Sequence, residues 1–125
     1  MILFMDDDPA RAALAYQRMK PEDRDRTIWC RTAKEAIITL KDYKNSLTAV
    51  MLDHDLEGES FVNSKRDDCG MEVVRVLEKM NKENSLENLT KVKFIVHTWN
   101  IEAGLIMEKR LREIGLKVIF IPFGL

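Results

Sequence analysis

The chain has 125 residues, of which 46% are hydrophobic and 33% are charged, as expected for a globular protein with one hydrophobic core. Lys and Arg total 20 against 21 for Asp and Glu, a net charge of -1, so we expect no extended surface for nucleic acid or for an anionic membrane. No apolar stretch approaches the roughly 18 residues of a membrane-spanning helix.

Apolar runs and helical periodicities alternate along the chain. The clearest helix starts are Asp8 before Pro9 and the capping box from Thr32 to Glu35, both of which satisfy amides at the beginning of a helix. A polar turn is predicted at 20–23, and Gly115 is expected to end the last helix. The predicted strands cover residues 2–5, 27–30, 47–52, 92–96 and 117–121, and a predicted helix follows each of the first four.

Five strands alternating with four helices predict an α/β fold. Crossover connections of this kind give a doubly wound parallel sheet with helices on both faces. We expect a single domain over residues 1–125. A polar loop at 57–68 precedes the helix that begins at Gly70, and its length is typical of a functional lid or rim.

The cytoplasm is the expected location. The apolar start from Met1 to Met5 lacks a basic region and turns acidic at once, which indicates a strand rather than a signal peptide. Cys30 and Cys69 are isolated thiols, as is usual in a reducing compartment.

Three polar groups follow predicted strands directly: Asp6 to Asp8, Asp53 to Asp55, and His97 to Asn100. The carboxyl ends of parallel strands converge on one crevice, so these groups are expected to meet there. The sequence therefore predicts a site at this edge of the sheet.

The acidic residues of these groups are candidate metal ligands. Asp6, Asp7, Asp53 and Asp55 offer the hard oxygen donors that Mg²⁺ or Mn²⁺ prefers. His54 and His97, the two histidines of the chain, are candidate acid-base groups together with Asp53, and imidazole ligation makes zinc or iron the alternative metal.

The segment after the fourth strand is the candidate substrate-binding element. Thr98 and Asn100, with the first amides of the next helix, could bind phosphate oxygens, and Trp99 could stack on a base. Structural interpretations stand beside these: Asp8 and Asn100 as helix N-caps, Trp99 as a packing residue, and each histidine as a hydrogen-bonded core residue.

The order of elements resembles the receiver domain of response regulators, whose sheet has the strand order 2-1-3-4-5. Asp6 with Asp7, Asp53 and Thr98 stand where receivers have an acidic pair, a phosphorylatable Asp and a Ser or Thr. The chain departs from receivers at the end of strand five, where Ile121 and Pro122 replace a Lys-Pro pair, and it lacks the last receiver helix.

A closer resemblance is to the cyclic-phosphate processing receiver domain family. Asp53-His54-Asp55-Leu56, Gly70 at a helix start, and His97-Thr98-Trp99-Asn100 follow that family's pattern. Thr98 replaces the commoner Ser, and Arg11 is displaced from the arginine expected after the acidic pair. The resemblance implies a metal-dependent phosphoesterase that acts on a cyclic phosphate, such as a cyclic nucleotide or a 2′,3′-cyclic phosphate end.

Two other functions remain open at this point. The chain could be a non-enzymatic atypical receiver, an interaction module that responds to phosphorylation or to a nucleotide, or it could sequester a nucleotide without a metal. Because strand five is apolar on both sides, we also expect a homodimer through the surface of the first helix and strand five.

Overall fold

The computed structural model describes residues 1–124 and contains one five-stranded parallel sheet with the order β2-β1-β3-β4-β5. The predicted doubly wound fold and its strand order are confirmed. The strands are β1 (Ile2–Met5), β2 (Thr27–Cys30), β3 (Ala49–Leu52), β4 (Lys93–Val96) and β5 (Lys117–Phe120). The helices are α1 (Pro9–Arg18), α2 (Pro21–Arg24), α3 (Ala33–Asp42), α4 (Gly70–Lys82) and α5 (Ile101–Glu113).

The structure differs from the predicted elements at two places. The turn expected at 20–23 is the one-turn helix α2, because Pro21 occupies its first position and Glu22 and Asp23 supply an acidic first turn. The third strand is shorter than predicted, since the amide of Leu47 donates to the carbonyl of Tyr43 in the turn that ends α3. Leu47 is nevertheless buried.

The two faces of the sheet carry different numbers of helices. Helices α3, α4 and α5 pack together on one face over the main core, which includes Leu3, Val50 and Phe94. On the other face α1 packs through Ala12 and Ala15 on a smaller cluster. Helix α1 therefore leaves part of this face of the sheet uncovered.

Strand five lies at the edge of this partly covered face. Among residues 1–124 no helix follows it. Ile119 and Ile121 are exposed, and the homodimer through this surface stays a prediction. In the same range of residues no helix is long and apolar enough to cross a membrane.

Gly70 sets the distance between α4 and the end of β3. Its amide donates to the carbonyl of His54 at 2.9 Å. A Cβ atom at this position would lie 1.9 Å from the carbonyl oxygen of Asp53 and 2.8 Å from the Cα of His54. Only glycine allows helix α4 to begin this close to the candidate site.

We predict that Gly70→Ala lowers the free energy of unfolding by about 3 kcal/mol, because the clash is with backbone atoms that must move. Gly104→Ala is the matched control, since its Cβ would meet only the ring of Phe120, a side chain that can rotate. Urea denaturation of both variants measures the difference. Equal losses of unfolding free energy in the two variants would show that the close approach of α4 to the end of β3 does not require glycine at position 70.

Candidate active site

Three carboxylates meet where β1 and β3 end. Met5 pairs with Leu52 in the parallel register, so the next residue of each strand, Asp6 and Asp53, lies at the same edge of the sheet. One oxygen each from Asp6, Asp7 and Asp53 lies within 4.8 Å of the others. Neighbouring carboxylates repel one another unless a cation lies among them.

Arg11 supplies a positive charge to this cluster from the first turns of α1. Its Nε and Nη2 donate to the two oxygens of Asp6 at 2.9 Å each, and Nη2 lies 3.3 Å from Oδ2 of Asp53. Asp7 and Asp8 lie 3.5 and 3.6 Å from the same guanidinium. One arginine thus lies within ion-pair distance of four carboxylates. The hydrogen bond to Asp6 and the nearby negative charges raise the pKa of Arg11 above its ordinary value.

An open cavity of about 380 Å³ lies above the cluster. Its charged lining consists of five acidic residues and Arg11, so the cavity has an excess of negative charge. Asp6 lies beneath it and is fully buried. The lining residues are Asp7, Asp8, Pro9, Arg11, Asp53, Asp55, Gly58, Glu59, Ser60, Thr98 and Trp99.

Asp53 has the least favourable position for a charge. Burial first, and then the charge of Asp6, raise its pKa to about 7. The amide of His54, which donates to Oδ1 at 2.8 Å, the charge of Arg11 and a hydrogen bond with Thr98 act in the opposite direction. The Asp53 carboxyl can therefore hold or release a proton near neutral pH.

The segment after β4 contributes two of its three candidate residues to the cavity. Thr98 is buried and Trp99 is 54% exposed, and both line the cavity. Asn100 is the N-cap of α5, where its Oδ1 accepts from the amide of Ala103, and its Nδ2 lies 3.3 Å from Asp55. The N-cap interpretation of Asn100 is therefore correct, and its side chain does not line the cavity.

Asp55 lies outside the cluster of three carboxylates and organises the loop after β3. Its oxygens accept from the amides of Phe61 and Val62 at 2.7 and 3.0 Å. Oδ1 also lies 2.7 Å from Nδ1 of His54. These contacts hold the predicted rim loop against the sheet, where Gly58 donates to Asp7 at 2.6 Å.

His54 is fully buried beneath this loop. Its Nε2 lies 2.9 Å from the hydroxyl of Ser64. Burial alone would lower the pKa of His54, but the neighbouring Cys69 and Asp55 raise it above its ordinary value. The imidazole reaches the cavity only through Asp55.

His97 points to the face of the sheet that α1 covers. Its ring stacks on Phe4 at 5.2 Å between centroids and meets the edge of Phe123 at 5.8 Å. In the described part of the chain neither ring nitrogen has a hydrogen-bond partner, although Nδ1 lies 3.8 Å from Oδ2 of Asp6. Burial and then the charge of Arg11 lower the pKa of His97 to about 4, which leaves the ring neutral at pH 7.

The structure thus brings together some of the predicted site residues and separates others. Asp6, Asp7, Asp53, Thr98 and Trp99 surround or underlie one cavity, whereas the two histidines lie on different sides of the strand ends. Sequence reasoning missed the central position of Arg11. Its spacing of five residues from Asp6, little more than one helical turn after the strand, was the available signal.

The strand order and the position of the acidic cluster define a receiver domain. A solved structure supports this class: the signal receiver domain of a Luxo repressor protein from Vibrio parahaemolyticus matches 99% of this chain and 78% of its own chain, with a TM-score of 0.61 and 16% sequence identity. At that identity the likeness shows the fold alone.

Residues 1–113 match the model of the family described as the cyclic-phosphate processing receiver domain. The chain belongs to that family, as the motifs around Asp53 and His97 predicted. No curated protein shows significant similarity to it.

The raised pKa of Asp53 predicts how the stability of the metal-free protein depends on pH. An acid whose pKa is higher in the folded state than in the unfolded state weakens folding as pH rises through that interval. We expect Asp53→Asn to stabilise the protein relative to the wild type by an amount that grows between about pH 4 and pH 7 and reaches about 1–4 kcal/mol.

Urea denaturation with chelator across this pH range measures the effect. Because the lowered pKa of His97 gives a slope of the opposite sign below about pH 6.5, the quantity to compare is the difference between variant and wild type. A difference independent of pH would contradict the assignment.

Proposed function

We propose that the protein is a metal-dependent phosphoesterase that opens a cyclic phosphate, either a cyclic nucleotide or a 2′,3′-cyclic phosphate end. The excess of carboxylates over arginine in the cavity is the observation that carries this proposal. A phosphate would be repelled by such a cavity unless a bound cation supplied a local positive charge. The family's description, the processing of cyclic phosphates, names the same chemistry.

Asp6, Asp7 and Asp53 are the residues that would hold the cation. Each offers a hard oxygen, and the separation of these oxygens, within 4.8 Å, suits simultaneous coordination. The cluster includes neither histidine, so its donors favour Mg²⁺ or Mn²⁺ over zinc or iron. When bound, the metal would neutralise phosphate oxygens and lower the pKa of a coordinated water.

Arg11 and Thr98 are the groups assigned to the phosphate. Both line the cavity beside Asp53, and an arginine relieved of its carboxylates presents a planar set of donors that matches phosphate oxygens. Trp99, with more than half of its surface exposed at the rim, offers a flat face for the base or ribose of a nucleotide.

Asp53 is the cavity carboxyl whose pKa is raised to about 7 in the metal-free protein, and a bound cation would lower that pKa. With the cation bound, the ionised Asp53 carboxylate is assigned to accept the proton of the attacking water. The histidines act indirectly in this scheme. His54 orients Asp55 and the rim loop, and His97 lies behind Asp6.

A second candidate function is a phosphorylation-responsive receiver module. Ile121 stands before Pro122 where receivers have a lysine, but the guanidinium of Arg11 lies 3.3 Å from Asp53, where it could neutralise an aspartyl phosphate. Incubation with acetyl phosphate followed by intact mass measurement tests this reading. Addition of one phosphoryl group to the wild type and not to Asp53→Asn would favour the module over the enzyme.

We predict that the protein converts a cyclic nucleotide or a 2′,3′-cyclic end to a monoester in the presence of Mg²⁺ or Mn²⁺, and that chelator abolishes the reaction. Asp53→Ala and Asp7→Ala should each lower the rate by about 100-fold or more, because they remove a cation ligand and, at Asp53, the proton acceptor. Chromatographic separation of cyclic and opened products measures the rate.

Asp42→Ala is the control, since this exposed carboxylate ends α3 away from the cavity, and it should retain full activity. Tight binding without product would instead favour sequestration. Binding that persists in the presence of chelator would show that the protein does not need a metal to bind the cyclic phosphate.

A second prediction concerns competition between Arg11 and the metal. Both neutralise the same three carboxylates, so Arg11→Ala should lower the melting temperature of metal-free protein and tighten Mn²⁺ binding by about tenfold or more. Turnover should nevertheless fall, because the variant lacks the donor to phosphate.

Thermal melts with and without Mn²⁺, and calorimetric titration, test this directly. Arg26→Ala is the matched control, an exposed arginine without a side-chain ion pair among residues 1–124. Weaker Mn²⁺ binding in Arg11→Ala than in wild type would show that Arg11 assists the cation rather than competes with it.

A further inference from the structure

One face of the sheet has less helical cover than the other. Five strands spaced about 4.8 Å apart give a sheet roughly 20 Å wide, whereas one helix covers about 10 Å of it. Three helices share the face that contains Phe94, but α1 alone packs on the other face, over β1 and its neighbours. Among residues 1–124, the helical cover of this face is therefore one helix short, beside α1 and over β4 and β5.

A groove of about 400 Å³ lies in this gap. Parallel register and side-chain alternation place Met51, Ile95 and Ile119 in one row across this face. Met51 and Ile95 line the groove, and Ile119 lies beside it on the edge strand. The groove runs along β4 from Lys93 to His97, a distance of about 13 Å, which corresponds to about nine residues of helix.

Among residues 1–124, the charged side chains of the groove all have the same sign. Arg18 and Lys93 line it, and no Asp or Glu of this range does. Lys117 pairs with Lys93 in the register of β4 and β5, so it extends the cationic end. All three are exposed. A ligand for this surface needs an apolar stripe and acidic flanks.

His97 gives an independent sign that this face is incomplete. The imidazole lies at the end of the groove opposite Lys93, is 2% exposed, and has no hydrogen-bond partner at either nitrogen among residues 1–124. Buried polar groups without partners destabilise a fold and are rare in native proteins. A polar side chain arriving with a partner could satisfy this ring.

We propose that this groove binds an acidic amphipathic α-helix of a partner protein. The helix lies along β4 and β5, its apolar stripe packs on Ile95 and Ile119, and its carboxylates face Arg18, Lys93 and Lys117. A second copy of the chain fits less well, because the groove lining in residues 1–124 offers no Asp or Glu to pair with the cations of the other copy.

Two labelled peptides of roughly 14 residues, about four helical turns, test the proposal. Both have the same leucine stripe, flanked by glutamates in one and by lysines in the other. Fluorescence anisotropy should show binding of the glutamate peptide at least about tenfold tighter than that of the lysine peptide. Amide chemical shifts should change at Ile95, Ile119 and Phe123.

Charge reversal provides the matched control. The double variant Lys93→Glu with Lys117→Glu should bind the lysine peptide in preference, whereas Lys34→Glu with Lys79→Glu, on helices of the other face, should behave as wild type. Equal affinity for both peptides, shift changes outside the groove, or no binding would overturn the proposal. A concentration-dependent dimer that Ile119→Glu abolishes would assign the face to a second copy instead.

Discussion

The confinement of several negative charges at one edge of the sheet is the constraint on which the site depends. Asp6 and Asp53 are buried, and Asp7 shares their oxygen cluster. Carboxylates held this close together repel one another, so a cation among them stabilises the fold. Arg11 supplies this positive charge in the structure, and its guanidinium occupies the place that a divalent ion would require.

Side-chain alternation along the strands decides which residues join the cluster. Thr98 faces the cavity, while His97, one residue earlier, faces the α1 side of the sheet. His54 likewise lies below the rim loop rather than in the cavity, and Asp55 connects the two. The histidines therefore lie on two sides of the site, and the residues at its centre are carboxylates and an arginine.

The sequence was sufficient to predict the sheet, its strand order and the meeting of Asp6, Asp7 and Asp53, because parallel strand ends converge whatever the details of packing. It could not predict the direction in which His54 and His97 point, since a shift of one residue at a strand end reverses the face. The place of Arg11 was equally hidden, because it depends on the entry angle of α1, which Asp8 sets as the N-cap.

A crystal structure with Mn²⁺, with data collected for anomalous scattering, tests the central claim most directly. We predict one anomalous peak in contact with an oxygen from each of Asp6, Asp7 and Asp53, with the guanidinium of Arg11 turned away from Asp6. A peak elsewhere, or no peak with Arg11 still bound to Asp6, would contradict it.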